Sequence, residues 1–182
     1  MSRLSIPAVV DAPAASQPLL AVVHKKLGVV PNLMKLLGQS PAALEGYLSL
    51  SGALDKGVLN AKLRETLALA VAEFNGCDYC LAAHSYIGKN LVKLTDDEIA
   101  QARDGRAADA RNDAALRFAQ RVAAERGRVL DADIAALRAA GFSDAETVEI
   151  VLHVALNVLT NYVNNVAHTD VDFPRVSAHT HA

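Results

Sequence analysis

Apolar positions along the chain recur at helical spacing in almost every segment that has a regular pattern. A short helix is expected over Pro18–Leu27, stopped by Gly28. Pro31-Asn32 opens a segment to about Leu37, and Ser40-Pro41 supplies a cap and a first-turn proline for Ala42–Leu54. Asn60 caps a longer run, Ala61 to about Asn75, in which Leu63, Leu67, Ala70 and Phe74 fall on one face. Gly76 interrupts it, and a new helix starts at Cys77-Asp78 and continues to Gly88. Thr95-x-x-Glu98 and Ser143-x-x-Glu146 are capping boxes, opening helices to about Arg103 and about Asn165. Between them Ala110–Arg126 places Leu116, Ala119, Val122 and Ala123 inward and ends at Gly127. Asp131 caps a short helix to Ala140, with Gly141 as its stop. Residues 1–16 carry Pro7 and Pro13 without a sustained period and read as a loose arm. The chain returns to loop from Thr169, with a tail over 175–182. No linker, charge block or repeat intervenes, so an all-α, single-domain helical bundle of about seven to eight helices is expected over 17–174.

The last helix carries two stripes. Val148, Val151, Leu152, Ala155, Leu159, Tyr162 and Val166 form an apolar one. Beside it Glu149, His153, Asn157, Asn161, Asn164 and His168 form a polar one that is almost uncharged. A solvated face normally carries Lys, Glu and Arg, so the second stripe points to burial against a helix, a subunit or a pocket. The alternative is a wet surface that happens to lack charge.

Composition narrows the class. The 182 residues include 34 Ala, no Trp and only 4 Phe and 4 Tyr, which favours helix over sheet. A hydrophobic content of 52% excludes intrinsic disorder, and a net charge of −2 leaves no basic field for nucleic acid or anionic membrane. The longest stretch free of Asp, Glu, Lys and Arg, Ile150 to Thr169, holds four Asn and two His, too polar a load for a membrane span. Pro7 and Asp11 break the apolar run too early for a signal peptide, so a cytoplasmic protein is expected.

The two cysteines of the chain form one motif, Cys77-Asp78-Tyr79-Cys80. Thiols three residues apart at a helix start lie on one face, and the unpaired N–H groups there favour thiolate over thiol. Such a pair can cycle between dithiol and disulfide, one sulfur attacking and the other resolving. His84 lies one turn beyond Cys80 on the same face, where an imidazole can take the thiol proton. Upstream, Glu65 and Glu73 interrupt an otherwise apolar helix that ends at the motif, and either could relay protons from a partly desolvated position. Glu65 could instead pair with Lys62 or Arg64 on the surface, and His24, His179 and His181 fit no pattern. A zinc site is the rival reading, since Cys77, Cys80 and His84 could supply three ligands, completed by His153 or His168 through the fold.

The run Arg64-Glu65-Thr66-Leu67-Ala68-Leu69-Ala70-Val71-Ala72-Glu73-Phe74-Asn75-Gly76-Cys77-Asp78-Tyr79-Cys80-Leu81-Ala82-Ala83-His84 resembles the core motif of the AhpD-like (alkylhydroperoxidase D / carboxymuconolactone decarboxylase) superfamily. That pattern has a glutamate twelve residues before the first cysteine, then C-x-x-C-x-x-x-H, and all four positions match. Val58–Glu65 and Val148–Pro174 are similar to its peroxidase-related branch, so the resemblance covers residues 40 to 174. It implies an AhpD-like helical domain, oligomeric, with thiol-dependent antioxidant chemistry. It also implies Cys80 as peroxidatic thiol, Cys77 as resolving thiol, and Glu65 with His84 as the proton relay, choosing Glu65 over Glu73. One position departs: Tyr79 stands where the best-characterised members carry histidine, and a tyrosine is a poor base at neutral pH.

The expected function is therefore a thiol-dependent peroxidase without metal or organic cofactor. It would reduce a small hydroperoxide and be regenerated by an external dithiol of lipoyl or thioredoxin type, as a homo-oligomer. A thiol–disulfide oxidoreductase or redox sensor shares the same residues, and a zinc-binding or decarboxylase-like helical protein is the alternative outside redox chemistry.

Overall fold

Helix Ala61–Phe74 is the axis of the fold, because its sequence is apolar on every side over its C-terminal half. Leu67 through Glu73 are all buried. A computed structural model describes residues 2–179 and arranges nine α-helices among them. These are α1 (Gln17–Leu27), α2 (Asn32–Leu37), α3 (Pro41–Leu54), α4 (Ala61–Phe74), α5 (Asp78–Asn90), α6 (Asp96–Arg103), α7 (Ala110–Ala124), α8 (Asp131–Ala139) and α9 (Asp144–Ala167). The described residues contain no strand, so the fold is all-α as expected. The nine helices among the described residues exceed the expected seven to eight, and two of the short segments along the chain, α2 and α8, are helices of 6 and 9 residues. His181 and the last residues of the tail lie outside the described residues.

The stop and start signals act as the sequence chemistry requires. Gly28 takes φ 74 after α1, and Thr95 and Ser143 form complete capping boxes with Glu98 and Glu146. Asp131 does not cap α8. Leu130 holds the cap position, and its N–H is satisfied by the Asp133 carboxylate at 2.8 Å, so Asp131 is the first helical residue. Helix α7 stops at Ala124, two residues short of expectation, because Arg126 and Gly127 both take positive φ.

Around α4 pack α5, α6, α7 and α9. Helix α9 is held in register by Glu149, whose carboxylate accepts from the N–H groups of Val58 at 2.9 Å and Leu59 at 3.2 Å. A Cβ at Gly57 would run into that carboxylate, so any side chain there would push Glu149 off these N–H groups. The expected loose arm is anchored: Arg3 N–H donates to Ala167 O at 2.6 Å, Ser2 N–H meets the Asp170 carboxylate, and Ala12 and Ser16 are buried.

The two stripes of α9 face opposite to the hydrophobic rule. His153, Asn157, Asn161 and Asn164 point into the protein, with Asn161 fully buried, while Val148, Val151, Leu152, Leu159, Tyr162 and Val166 are exposed. The polar face is inside because it meets the end of α4 and the start of α5, where the cysteines are.

Candidate active site

Cys77 serves two helices at once. Its N–H donates to Ala72 O at 2.9 Å while Gly76 N–H donates to Glu73 O at 3.0 Å, the paired bonds of a Schellman motif ending α4. Gly76 takes φ +59 with open space around a would-be Cβ, so the left-handed backbone alone asks for glycine. As N-cap of α5, the Cys77 sulfur accepts the Cys80 N–H at 3.4 Å. The motif thus lies at a helix N-terminus, with both cysteines free thiols and each no more than 2% exposed.

The four residues singled out from sequence come together. His84 Nδ1 lies 2.9 Å from Glu65 Oε2, one turn along α5 from Cys80. Glu65 does not pair with its neighbours: Lys62 reaches Glu98, and Arg64 reaches Asp55 and Leu59 O. Glu73 is also buried, but Arg103 Nε at 2.6 Å and the His179 N–H hold its carboxylate. It fastens the C-terminal segment.

Electrostatics separate the two thiols. Burial opposes a Cys80 thiolate. The Cys77 S–H, the charge of His84 and the amides of Asn164 and Asn161 outweigh it and lower the Cys80 thiol to about 7. Cys77 is pushed up, because its S–H is held by Cys80 and because burial and the adjacent negative charge oppose a second thiolate. Burial alone would depress His84, but the Glu65 charge and hydrogen bond raise it overall. An imidazolium beside a thiolate is the arrangement these shifts favour.

Tyr79 occupies the variable position of the motif as an anchor. Its hydroxyl donates to Asp172 Oδ1 at 2.9 Å and accepts the Leu33 N–H at 3.1 Å, and its ring meets Phe173 edge-on with centroids 5.9 Å apart. Burial pushes that hydroxyl well above the ordinary tyrosine value. Both faces of the oxygen are engaged, so Tyr79 ties α5 to the C-terminal segment.

Several contributors were not legible as site residues. Asn164 Nδ2 donates to the Cys80 sulfur at 3.3 Å, and Asn75 Nδ2 donates to Asn161 Oδ1 at 2.9 Å. Tyr47, on α3, feels the charges of Cys80 and Glu65, and burial pushes its hydroxyl up to about 12. The uncharged stripe of α9 was the one signal for the asparagines; Asn75, Asp172 and Tyr47 gave none. A cleft of about 390 Å³ opens between the start of α5 and the end of α9, lined by Asp78, Tyr79, Asn164 and His168 among others. Asn164 touches the cleft and the sulfur together. Among the described residues no three His, Cys, Asp or Glu side chains converge as metal ligands, the set that a zinc module would need. Nor is any described helix long and apolar enough to cross a membrane.

Known proteins share this fold. Residues 41–125 match the model of the carboxymuconolactone decarboxylase family. The fold superposes on the alkylhydroperoxidase AhpD core of a peroxidase-related protein from Ralstonia eutropha with a TM-score of 0.84 and 28% identity, covering 94% of this chain and 92% of that one. A peroxidase-related protein from Silicibacter gives a TM-score of 0.81 and 25% identity over 93% of this chain and 91% of that one. The debrominase Bmp8, at 19% identity and a TM-score of 0.74 over 94% of this chain and 91% of that one, shares the fold. An uncharacterized protein from Haemophilus influenzae is 46% identical over 48 residues, which is 26% of this chain and 42% of that relative's length.

Proposed function

We propose that this chain, similar to the carboxymuconolactone decarboxylase family over residues 41–125 and to AhpD-core proteins in fold, is an AhpD-like thiol-dependent peroxidase that reduces a small hydroperoxide with Cys80 and closes a Cys77–Cys80 disulfide. The family comparisons point to an enzyme of the oxidoreductase or decarboxylase kind. One observation favours the first: a cysteine lowered to about 7 at a helix start, with a Glu65-paired His84 one turn away. In this reading His84, steadied by Glu65, holds the proton of the Cys80 thiol. The thiolate attacks the terminal oxygen of R–O–OH, the S–O bond forms as the O–O bond breaks, and the leaving alkoxide takes the proton from His84 to become alcohol. Cys77 then attacks the sulfenic sulfur, the S–S bond forms, and water leaves with the Cys77 proton. An external dithiol reopens the disulfide and is itself oxidised.

The burial of both sulfurs supports a small oxidant over a protein disulfide, which could not reach them without movement of α9 or of the C-terminal segment. The exposed apolar stripe of α9 supports a homo-oligomer. The deciding experiment treats the reduced protein with one equivalent of a small alkyl hydroperoxide. Two thiols per chain should disappear as an intramolecular disulfide, restored by a lipoyl-type dithiol with turnover. Thiols that stay titratable would end the redox reading, and a disulfide formed by dithiol exchange but not by peroxide would favour the oxidoreductase.

A further inference from the structure

We propose that Asn161 and Asn164 form a two-amide anion hole on α9, holding the Cys80 sulfur as thiolate and then binding the oxygen of its sulfenic acid. The second half rests on the peroxidase reading; the first does not. The two residues are one turn apart and face the same way. Asn164 Nδ2 already donates to the sulfur at 3.3 Å. Asn161 is fully buried, and its Nδ2 makes no close hydrogen bond among the described residues, although the amide is near enough to Cys80 to help lower its thiol. Its orientation is fixed from behind: Asn75 Nδ2 donates to Asn161 Oδ1 at 2.9 Å, and Asn165 Nδ2 holds the Asn75 carbonyl at 2.9 Å. The free amide hydrogens therefore point away from Asn75. Native interiors seldom leave a buried donor unpartnered, and here the residue beside it meets the reactive sulfur.

The reaction supplies the missing partner. When the thiolate attacks R–O–OH, sulfur gains an oxygen and the alkoxide leaves with the His84 proton. Asn161 Nδ2 then has the oxygen of the Cys80 sulfenic acid, S–OH, to bond. The Asn164 Oδ1, also buried and without a hydrogen-bond partner among the described residues, can accept the proton of that sulfenic acid. Donors fixed before the oxygen arrives need no reorganisation. Other groups that feel or act on the Cys80 charge are Cys77 at the cap of α5, Tyr79 and His84 on α5 and Tyr47 on α3, with Glu65 on α4 acting through His84.

The test uses the Cys77→Ser chain, so that Cys80 is the single thiol, and follows its alkylation by iodoacetamide against pH. Asn161→Leu and Asn164→Leu keep volume and remove the donors, and each should raise the midpoint by about one pH unit. Asn157→Leu removes another buried amide of the same stripe, but that amide bonds to His153 O at 2.8 Å within its own helix, so the midpoint should stay. After one equivalent of hydrogen peroxide, Asn161→Leu should also shorten the lifetime of the trappable sulfenic acid by about tenfold. Midpoints that coincide with the parent, or that move equally in Asn157→Leu, overturn the proposal. Where a leucine variant fails to fold, the alanine variant at the same position decides by the same criterion. If the midpoints shift while peroxide leaves Cys80 unreacted, the hole stands and the peroxidase reading falls.

Discussion

His84 Nδ1 and Glu65 Oε2, 2.9 Å apart, join the helix that carries the cysteines to the helix that precedes them. Both side chains retain about a fifth of their exposure, 23% and 19%. The pair is dry enough for its charges to act strongly on each other and open enough to exchange protons with water.

Replacing Glu65 by Gln keeps shape and removes the charge that supports the imidazolium. Oxidation of Cys80 by hydroperoxide should slow by roughly a hundredfold, with the fold intact. Glu73→Gln should do the opposite. It weakens the Arg103 pairing that pins the C-terminal segment, costing about 1–3 kcal/mol of stability while the oxidation rate is little changed. Stopped-flow oxidation and thermal unfolding of both variants check this; a larger rate loss in Glu73→Gln would reverse the two roles.

The shifted groups give stability two opposing slopes with pH. His84 is raised in the folded state, so its contribution is complete below the unfolded value of about 6.5 and is lost as pH rises through the folded one. Cys80 is lowered to about 7, so its contribution is present above the unfolded thiol value and lost as pH falls through about 7. Urea unfolding between about pH 6 and about pH 8.5 should show the rising component vanish in Cys80→Ser. The falling component should vanish in Glu65→Gln. A Cys80→Ser profile parallel to that of the natural chain would show that the thiol is not depressed.

Tyr79→Phe removes one hydroxyl that serves Asp172 and the Leu33 N–H together. The expected loss is about 2 kcal/mol, since one partner is a carboxylate, together with faster amide exchange at Leu33. Cys80 oxidation should keep its rate. A large rate loss without destabilisation would place Tyr79 in the proton path instead of in the anchor.

Local chemistry made most of this legible from sequence. Caps at Asn60, Thr95 and Ser143, stops at Gly28 and Gly76, and the Cys77–Cys80–His84 spacing are all decided within one or two helical turns, and Glu65 lies on the helix directly before the motif. What was hidden depends on neighbours distant in the chain. Asp172 reaches Tyr79 across 93 positions and Asn164 reaches Cys80 across 84, and no periodicity encodes such pairs. On α9 the lack of charge did signal burial of the asparagine stripe, but nothing in the sequence left the apolar stripe outside. Two stripes of low charge lie side by side, and hydrophobicity alone would turn the wrong one inward.

That orientation carries the last prediction. With the asparagines committed to the cysteines, the apolar stripe from Val148 (59% exposed) to Val166 (65% exposed) is left on the outside. Its 18-residue span is about 27 Å of helix, with Leu152, Leu159 and Tyr162 between the ends. Water would tolerate Lys or Glu at every one of these positions, yet none carries a charge. A continuous apolar ridge of this length is what a second copy of the same helix would bury. At micromolar concentration light scattering should find at least twice 19.2 kDa. Leu159→Glu with Val151→Glu should return the particle to 19.2 kDa, because two buried carboxylates would face their own copies. The alkylation midpoint of Cys80 should not move in that variant, since the altered residues lie on the opposite face from Asn161 and Asn164. A natural chain that scatters as a 19.2 kDa particle would refute self-association through α9.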